Sequence, residues 1–210
     1  MCGRYALTLS PDAVRRHFGY IEQPNFPSRS NIRPTEPVAV MHARDGMRHF
    51  ALMRWGFIPS FVKDEREFPL LINARSETVF EKASFRNAIR RRRCLFLADA
   101  FYEWQKLDSS SRKKQPYLIR HPQGRPLAFA GIFENWMSPN GSEMETAAIL
   151  TTSANALISA VHERMPVIIA TRDFSAWLSP ETAFNDVERL MRPLDDDGLE
   201  LVEINKIGYE

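Results

Sequence analysis

Cys2 carries the most distinctive chemistry that this 210-residue chain offers. Removal of Met1, the usual fate when the second residue is small, would leave a cysteine with its α-amine and thiol on adjacent carbons. With reference pKa values of about 8 and about 8.5, both groups are partly nucleophilic at neutral pH. Such a 1,2-aminothiol condenses with an aldehyde to a Schiff base, which the thiolate closes to a thiazolidine. From its position alone, Cys2 is more commonly an ordinary small residue at the start of a strand.

Glu103 is a carboxylate within the apolar segment Phe101–Trp104. Either the side chain faces solvent on an edge strand, or it is buried for a purpose, and the sequence alone does not separate the two. Burial would raise its pKa and make it a competent proton shuttle. Strand alternation places Asp99 on the same face. The segment therefore predicts either a carboxylate pair or an Asp99 that serves a turn.

Two further side chains could take part in such a reaction. Lone histidines are more often structural than catalytic, but His162 has a loop position beside a short apolar strand, which favours a functional role. Asn73 ends an apolar strand, where it either orients a reacting group or caps the strand. The five histidines and two cysteines show no metal-ligand spacing. We therefore expect neither a metal nor another cofactor.

Trp55 and the arginine run Arg90–Arg93 each have two interpretations. Trp55 opens a loop, where an indole could stack on a nucleobase or anchor the loop by packing beneath it. The four consecutive arginines would form a solvated surface in most proteins, or a phosphate-facing patch in a nucleic-acid-binding one. Neither pattern decides between its alternatives.

The surrounding pattern predicts short strands and helices that hold these residues. A strand covers residues 2–8, and a helix begins after Ser10-Pro11 and ends at Gly19. Further strands are expected at 37–43, 48–54, 94–105, 116–121, 126–136, 145–152, 166–170 and 199–205, further helices after Ser84, at 153–160 and from Pro180, and irregular loops over 20–36 and 55–70. Many hairpin-connected strands with few short helices indicate an α+β fold: an antiparallel, partly closed, β-barrel-like sheet with short flanking helices.

The composition is that of an ordinary globular protein. Apolar residues make up 44%, charged residues 26%, and the net charge is +2. No apolar run approaches the ~18 residues of a membrane span, and the N-terminus lacks a secretory signal pattern. These features exclude a membrane protein, a secreted disulfide scaffold and a fibrous protein. We expect one domain over residues 1–210, in a reducing cytoplasm with both thiols free.

Six short motifs occur in a fixed order along the chain. They are Met1–Tyr5, Asn31–Thr35, Trp55–Pro59, Asn73–Glu77, Phe101–Trp104 and His162–Pro166. Each is weak alone, but six in register, one of them pinned to the N-terminus, are highly specific. In this order they resemble the SOS-response-associated peptidase (SRAP) family, whose members process abasic sites in DNA.

The resemblance implies a single SRAP domain that binds single-stranded DNA containing abasic sites in a positively charged groove. Cys2 would be the nucleophile, through both its amine and its thiol, and Glu103 would move protons during imine formation. His162 would assist opening of the deoxyribose ring and later reversal of the cross-link, while Asn73 would hold the reacting end. The implied DNA-binding residues are Arg4, Asn31, Arg33, Trp55, Phe61, Arg75 and Arg164, with Trp55 stacking on the distorted nucleotide.

Two of these positions depart from the family pattern. Phe61 stands where a second tryptophan is common, which would weaken stacking there. Arg33 replaces a usually small residue and adds positive charge near the groove. The resemblance further implies a monomer with no cofactor, metal or membrane, in the cytoplasm and nucleoid-associated in a bacterium.

Three functions stay open at this stage. The first is covalent capture of abasic sites, with β-elimination at the imine stage as a further outcome. The second is a thiol peptidase, best suited to processing its own Met1, since Cys, His and Asn are all present. The third is a non-covalent reader of single-stranded or modified DNA, in which Cys2 is incidental.

Overall fold

A computed structural model describes residues 2–106 and 114–207. Its strands are β1 (Tyr5–Leu7), β2 (Arg29–Ile32), β3 (Pro37–Arg44), β4 (Met47–Trp55), β5 (Asn73–Arg75), β6 (Arg93–Ala98), β7 (Ala100–Lys106), β8 (Lys114–Arg120), β9 (Leu127–Met137), β10 (Glu143–Ser153), β11 (Arg164–Pro166) and β12 (Glu200–Glu203). Its α-helices are α1 (Pro11–Phe18), α2 (Arg86–Arg91), α3 (Ala156–Ser159), α4 (Phe174–Leu178) and α5 (Phe184–Leu190). Met1, whose removal the sequence predicts, lies outside the described residues.

Strands β3, β4, β10, β9 and β6 pair in that order and close into a barrel, because β6 pairs with β3. Neighbouring barrel strands are antiparallel except β4 and β10, which run parallel with Arg54 opposite Thr146. The expected α+β class and barrel-like sheet are confirmed. The parallel pairing departs from the antiparallel expectation, and the number of strands requires it: five strands cannot alternate in direction all the way around a closed barrel.

Strand β5 continues the line of β4 along β10, with Asn73 opposite Ile149. The loop over residues 56–72 is therefore an excursion from one edge of β10 that returns to the same edge. The chain leaves the strand at Gly56, whose φ of 146° suits glycine and whose added Cβ would lie 2.6 Å from Leu70 Cδ1. This excursion delivers Asn73 to the end of the barrel.

A second sheet has the strand order β12-β8-β7-β1-β2. Strand β1 lies inside it, with Tyr5 opposite Phe101 on β7 and opposite Ile32 on β2. The buried Tyr5 ring makes edge-to-face contacts with Trp55 at 5.3 Å and with Phe129 at 5.9 Å. These aromatic contacts pack the N-terminal strand against the barrel.

Helix α1 forms where the capping pattern predicts it. Ser10 Oγ accepts the backbone N–H of Ala13, and Gly19 ends the helix in the left-handed region at a φ of 70°. Val14 and Phe18, four residues apart, form its buried face. Local sequence therefore determines this element almost completely.

The predicted strand over residues 94–105 is wrong as a single element, because it breaks at Asp99. Ala98 ends β6 in the barrel, while Ala100 begins β7 in the second sheet. The Asp99 carboxylate accepts the backbone N–H groups of Thr8 and Leu9, and it also accepts the Thr8 hydroxyl. Asp99 thus ties the corner between the sheets to the end of β1, so it serves a turn rather than a carboxylate pair.

Other boundaries differ where tertiary pairing overrides local pattern. The expected irregular segment 20–36 contains strand β2, which is added to the edge of β1. The predicted strand 166–170 lies earlier, as β11, which pairs with the end of β10. The helix expected from Pro180 begins at Phe184 instead, and α4 precedes it.

The run Arg90–Arg93 divides into an exposed half and a packed half. Arg90 and Arg91 are exposed, whereas Arg92 Nη2 donates to Glu134 Oε2 at 2.6 Å. Arg93 is buried over the ring of Trp177. Its guanidinium donates to the carbonyl oxygens of Ile89, Arg90, Trp177 and Ser179. The solvated-surface interpretation is therefore wrong for Arg93, which joins the C-terminal ends of α2 and α4.

Helix C-terminal carbonyls lack intrahelical donors and carry partial negative charge, so a buried guanidinium satisfies both needs there. Burial lowers the pKa of Arg93 to about 10, and the group stays charged at neutral pH. Arg93→Met should lower the free energy of unfolding by about 3 kcal/mol, since it leaves buried acceptors unpaired. Urea denaturation measures this. Exposed Arg91→Met is the matched control, with a change below about 0.5 kcal/mol; equal losses in the two variants would contradict the assignment.

Candidate active site

Cys2 lies directly before β1 and is fully buried. Its carbonyl oxygen accepts a hydrogen bond from Asn73 Nδ2 at 3.0 Å. Asn73 begins β5, so this bond joins the N-terminal segment of the second sheet to the barrel sheet. Asn73 Oδ1 is buried and has no hydrogen-bond partner among the described residues. The structure therefore brings together two residues that are 71 positions apart in the sequence, and Asn73 keeps a free acceptor there.

Glu103 lies on β7, the strand paired with β1, and is 3% exposed. Burial raises the pKa of its carboxyl group, while the positive field of His162 acts in the opposite direction. Burial also raises the pKa of the Cys2 thiol, and the charge of Glu103 adds to that rise. Glu103 therefore lies within electrostatic reach of both Cys2 and His162. The buried alternative for Glu103 is therefore correct.

His162 lies in the turn between α3 and β11. Its Nδ1 accepts the backbone N–H of Arg164 at 2.9 Å. Nδ1 also lies 3.2 Å from the carbonyl oxygen of Arg164. The contact with the backbone N–H is the shorter one and its donor is fixed, so Nδ1 is assigned as the acceptor, which leaves the proton of a neutral imidazole on Nε2. His162 can therefore donate a proton or a hydrogen bond from Nε2.

The Arg164 side chain is 11% exposed and has a carboxylate partner within the protein. Its Nη1 and Nη2 donate to the two oxygens of Glu77 at 2.6 and 2.9 Å. Nη2 also donates to the carbonyl oxygen of Thr151 at 2.6 Å. The guanidinium is thus held in a two-pronged ion pair against β10, and it is not presented to solvent as a phosphate contact.

The remaining predicted DNA contacts lie at or near the surface. Arg33 and Arg75 are exposed, and neither side chain has a hydrogen bond or ion pair among the described residues. Arg4 is half-buried and its Nη1 donates to Asn31 Oδ1 at 3.0 Å. Phe61 is 59% exposed on the loop over 56–72. These side chains are available to a ligand in a way that Arg164 is not.

The predicted stacking role of Trp55 is contradicted by its burial. The side chain is 0% exposed, and its indole N–H donates to the carbonyl oxygen of Ile72 at 2.9 Å. Trp55 packs against Tyr5 and Phe96 in the core. It joins the two ends of the 56–72 excursion and anchors that loop from below.

Comparison with known proteins assigns the chain to a family. The family model described as SOS response associated peptidase (SRAP) matches residues 1–207. The chain belongs to the SRAP family. It is 33% identical over 211 residues to a Bacillus subtilis (strain 168) protein named abasic site processing protein YoqW, covering 99% of this chain and 93% of the relative. It is 30% identical over 242 residues to abasic site processing protein HMCES of Xenopus tropicalis, covering 93% of this chain and 71% of the relative.

Solved structures support the same fold. A crystal structure of a protein from Bacteroides thetaiotaomicron superposes with a TM-score of 0.89 at 24% identity, covering 97% of this chain and 92% of the other. A protein from Bordetella bronchiseptica gives a TM-score of 0.84 at 25% identity, covering 98% and 100%. The barrel and the second sheet are therefore a fold that this chain shares with both proteins.

Glu77 is a site residue that sequence reasoning missed. It lies in the Asn73–Glu77 motif, and its partner Arg164 lies in the His162–Pro166 motif. A charged residue of each sign in two separate SRAP motifs was an available signal. Neither motif predicts the ion pair by itself, because the pair forms only when β5 and β11 flank β10.

The described residues 2–106 and 114–207 contain neither a membrane-spanning helix nor a cluster of metal ligands. No helix there is both long enough and apolar enough to cross a bilayer. No group of three or more His, Cys, Asp or Glu side chains there has the arrangement of a metal site.

Glu103→Gln tests the buried carboxyl group through stability. Since the folded-state pKa lies above the unfolded value of 4.5, wild-type stability falls as pH rises from 4.5 through the folded-state pKa. The amide has no such penalty. We expect the variant to be more stable at pH 7 by on the order of 1 kcal/mol, with the difference shrinking towards pH 4.5. Chemical denaturation at several pH values measures this. For the exposed control Glu163→Gln, the difference in the free energy of unfolding from the wild type should not change with pH. A Glu103→Gln variant that is less stable than the wild type at pH 7 would contradict the prediction.

Proposed function

We propose that this protein captures abasic sites in single-stranded DNA by forming a covalent bond through Cys2 after Met1 is removed. The observation that carries the proposal is the meeting of Cys2, Asn73 and Glu103 where the N-terminal segment joins the barrel. The relatives named as abasic site processing proteins support the substrate class. An abasic site in its ring-opened form presents an aldehyde, which is the electrophile that an aminothiol traps.

The proposed reaction has three steps. The α-amine of Cys2 adds to the aldehyde carbon to give a carbinolamine. The carbinolamine hydroxyl takes a proton and leaves as water, which forms the imine. The Cys2 sulfur then adds to the imine carbon, and its proton passes to the imine nitrogen to complete the thiazolidine. The net change is the loss of one water, with no oxidant or reductant required.

Glu103 has the properties that these proton transfers require. A buried carboxyl group with a raised pKa keeps its proton to a higher pH than a free one does, so it is better suited to give and to accept a proton. It can take the proton that the α-ammonium must lose and return it to the departing hydroxyl group. His162 would promote opening of the closed sugar by donating a hydrogen bond from Nε2–H to the ring oxygen, which stabilises the charge that develops there. Asn73 holds the Cys2 carbonyl so that the amine is aimed at one place.

The order of the two nucleophiles follows from the burial of Cys2. Because burial raises the pKa of its thiol, the sulfur is protonated at neutral pH and is a poor first nucleophile. The amine therefore attacks first. The thiol closes the ring afterwards, when it is held next to the imine carbon and its proton has the imine nitrogen as acceptor.

Position 2 decides between this proposal and its alternatives. A peptidase that cleaves before Cys2 would release Met1 and then stop, whereas a non-covalent reader would bind DNA without Cys2. The test is intact mass after incubation with a single-stranded oligonucleotide that holds one abasic site. We expect loss of Met1, and an adduct heavier by the oligonucleotide less one water that survives denaturation.

Variants of the two cysteines sharpen this test. Cys2→Ala and Cys2→Ser both keep the α-amine and lose the thiol, so each should form an adduct only after borohydride reduction of the imine. Cys2→Ala should still bind an oligonucleotide with a tetrahydrofuran abasic analogue as the wild type does. Cys94→Ala removes the other buried thiol and is the matched control, with an adduct yield like the wild type. Processed wild type without an adduct would refute covalent capture and leave the peptidase or the reader.

Salt dependence tests the proposed DNA surface. With Arg164 paired to Glu77, the candidates for phosphate contact are Arg4, Arg33 and Arg75. Three contacts on a single strand predict a slope of about −2 for log affinity against log salt. Arg33→Gln and Arg75→Gln should each reduce the slope by about 0.7. Fluorescence anisotropy with the tetrahydrofuran oligonucleotide measures this, and exposed Arg172→Gln is the control; a slope near zero would contradict the surface.

A further inference from the structure

We propose that Glu77 is a positioning residue: acting through Arg164, it holds His162 in one orientation and one tautomer. The inference rests on the proposed function, because it concerns the same reaction. Glu77 contacts neither Cys2 nor Glu103 in the described residues. Its effect would pass along two side chains that the fold brings together from opposite edges of β10.

The ion pair fixes the guanidinium in a plane. Both Glu77 oxygens receive a donor from Arg164, and such forked pairs add geometric definition as well as charge. The carbonyl oxygen of Thr151 accepts from Arg164 Nη2 and also from the backbone N–H of Ser76 at 2.9 Å. The segment after β5 and the start of β11 are thus anchored on one peptide of β10.

The connection to His162 runs through the Arg164 backbone, whose N–H and carbonyl oxygen lie 2.9 and 3.2 Å from His162 Nδ1. The N–H of Arg164 donates to His162 Nδ1, and only two residue positions separate them. A rotation of the Arg164 backbone would therefore move the donor away from the imidazole. Without that donor, Nδ1 can carry the proton itself, and Nε2 would then lose the hydrogen that it offers to the sugar.

The charge of Glu77 excludes a role as a proton donor, and its exposure raises a second role, that of a competitor with DNA for Arg164. Arg164 lowers the pKa of Glu77, so the carboxylate is ionised at neutral pH and is not a proton donor. The Glu77 side chain is 46% exposed, while that of Arg164 is 11% exposed. A phosphate would have to break the fork to reach Arg164. The two roles predict different effects of removing Glu77. If Glu77 competes with DNA for Arg164, its removal would tighten binding; if it is a positioning residue, its removal would slow the reaction.

Glu77→Gln separates these roles, because the amide keeps the shape and loses the charge. We expect the first-order rate constant of cross-linking at saturating abasic DNA to fall about tenfold, the scale of a small misplacement of a reacting group. The Kd for the non-reactive tetrahydrofuran oligonucleotide should stay within about twofold. Glu163→Gln is the matched control: it removes the same charge next to His162, from an exposed residue whose carboxylate has no partner in the described residues. Its rate constant should not change.

A second readout does not depend on DNA. Nitrogen-15 NMR of the imidazoles, with His162 identified by its loss in His162→Gln, should give the Nε2–H tautomer in the wild type and a mixture in Glu77→Gln. This result can be obtained even if the wild type forms no cross-link, so failure of the proposed function and failure of this inference are distinguishable. Should Glu77→Gln not fold, Glu77→Asp, which shortens the carboxylate, is expected to slow the reaction with an unchanged Kd.

Three results would overturn the inference. Binding that tightens severalfold in Glu77→Gln with an unchanged rate constant would make Glu77 a competitor and Arg164 a phosphate contact. Equal slowing in Glu163→Gln would reduce the effect to local charge. An unchanged His162 tautomer in Glu77→Gln would break the link between the ion pair and the imidazole.

Discussion

The backbone of β10 is the constraint on which the rest of the molecule depends. This strand pairs with β9 and β4 to close the barrel, and near its end it pairs with β5 on one side and β11 on the other. A strand has two hydrogen-bonding edges, so two segments that share its end must lie about one strand spacing away on either side. Those segments carry Asn73 and the turn that holds His162. The relative placement of the two residues is therefore set by backbone pairing, before any side chain contributes.

The protein accommodates its buried charges in three different ways. Arg93 is surrounded by carbonyl oxygens at two helix ends, and Arg164 is matched by the carboxylate of Glu77. Glu103 is buried with a raised pKa, which means that its surroundings disfavour the charged form. The first two arrangements satisfy the charge and serve the fold. The burial of Glu103 costs stability, and a pKa shifted by burial is typical of groups that exchange protons.

Local signals predicted the elements that local forces determine. Helix α1 follows from its cap at Ser10 and its stop at Gly19, and the β3–β4 hairpin follows from Asp45-Gly46, which both adopt positive φ. The strand break at Asp99 was not predictable, because its cause is a partner some 90 residues earlier in the chain. The positions of Arg93 and Trp55 were not predictable for the same reason. The arginine run favoured a solvated surface and the pattern at Trp55 left stacking and packing open, while contacts from distant segments bury both side chains. The candidate residues Cys2, Asn73 and Glu103 came from motifs, but their meeting depends on the pairing of β1 with β7 and of β5 with β10.

The loop over residues 56–72 has a base that is packed in the core and a tip that is exposed. Its base is fixed by Trp55, whose indole N–H bonds to Ile72, and by Gly56, which permits the chain to turn away from β10. Its tip carries the exposed Phe61, whose ring makes an edge contact with Phe68. Because the base also sets the start of β5, the tip can vary in sequence without moving Asn73. A fold built in this way can change how it meets a nucleic acid while the reacting groups stay in place.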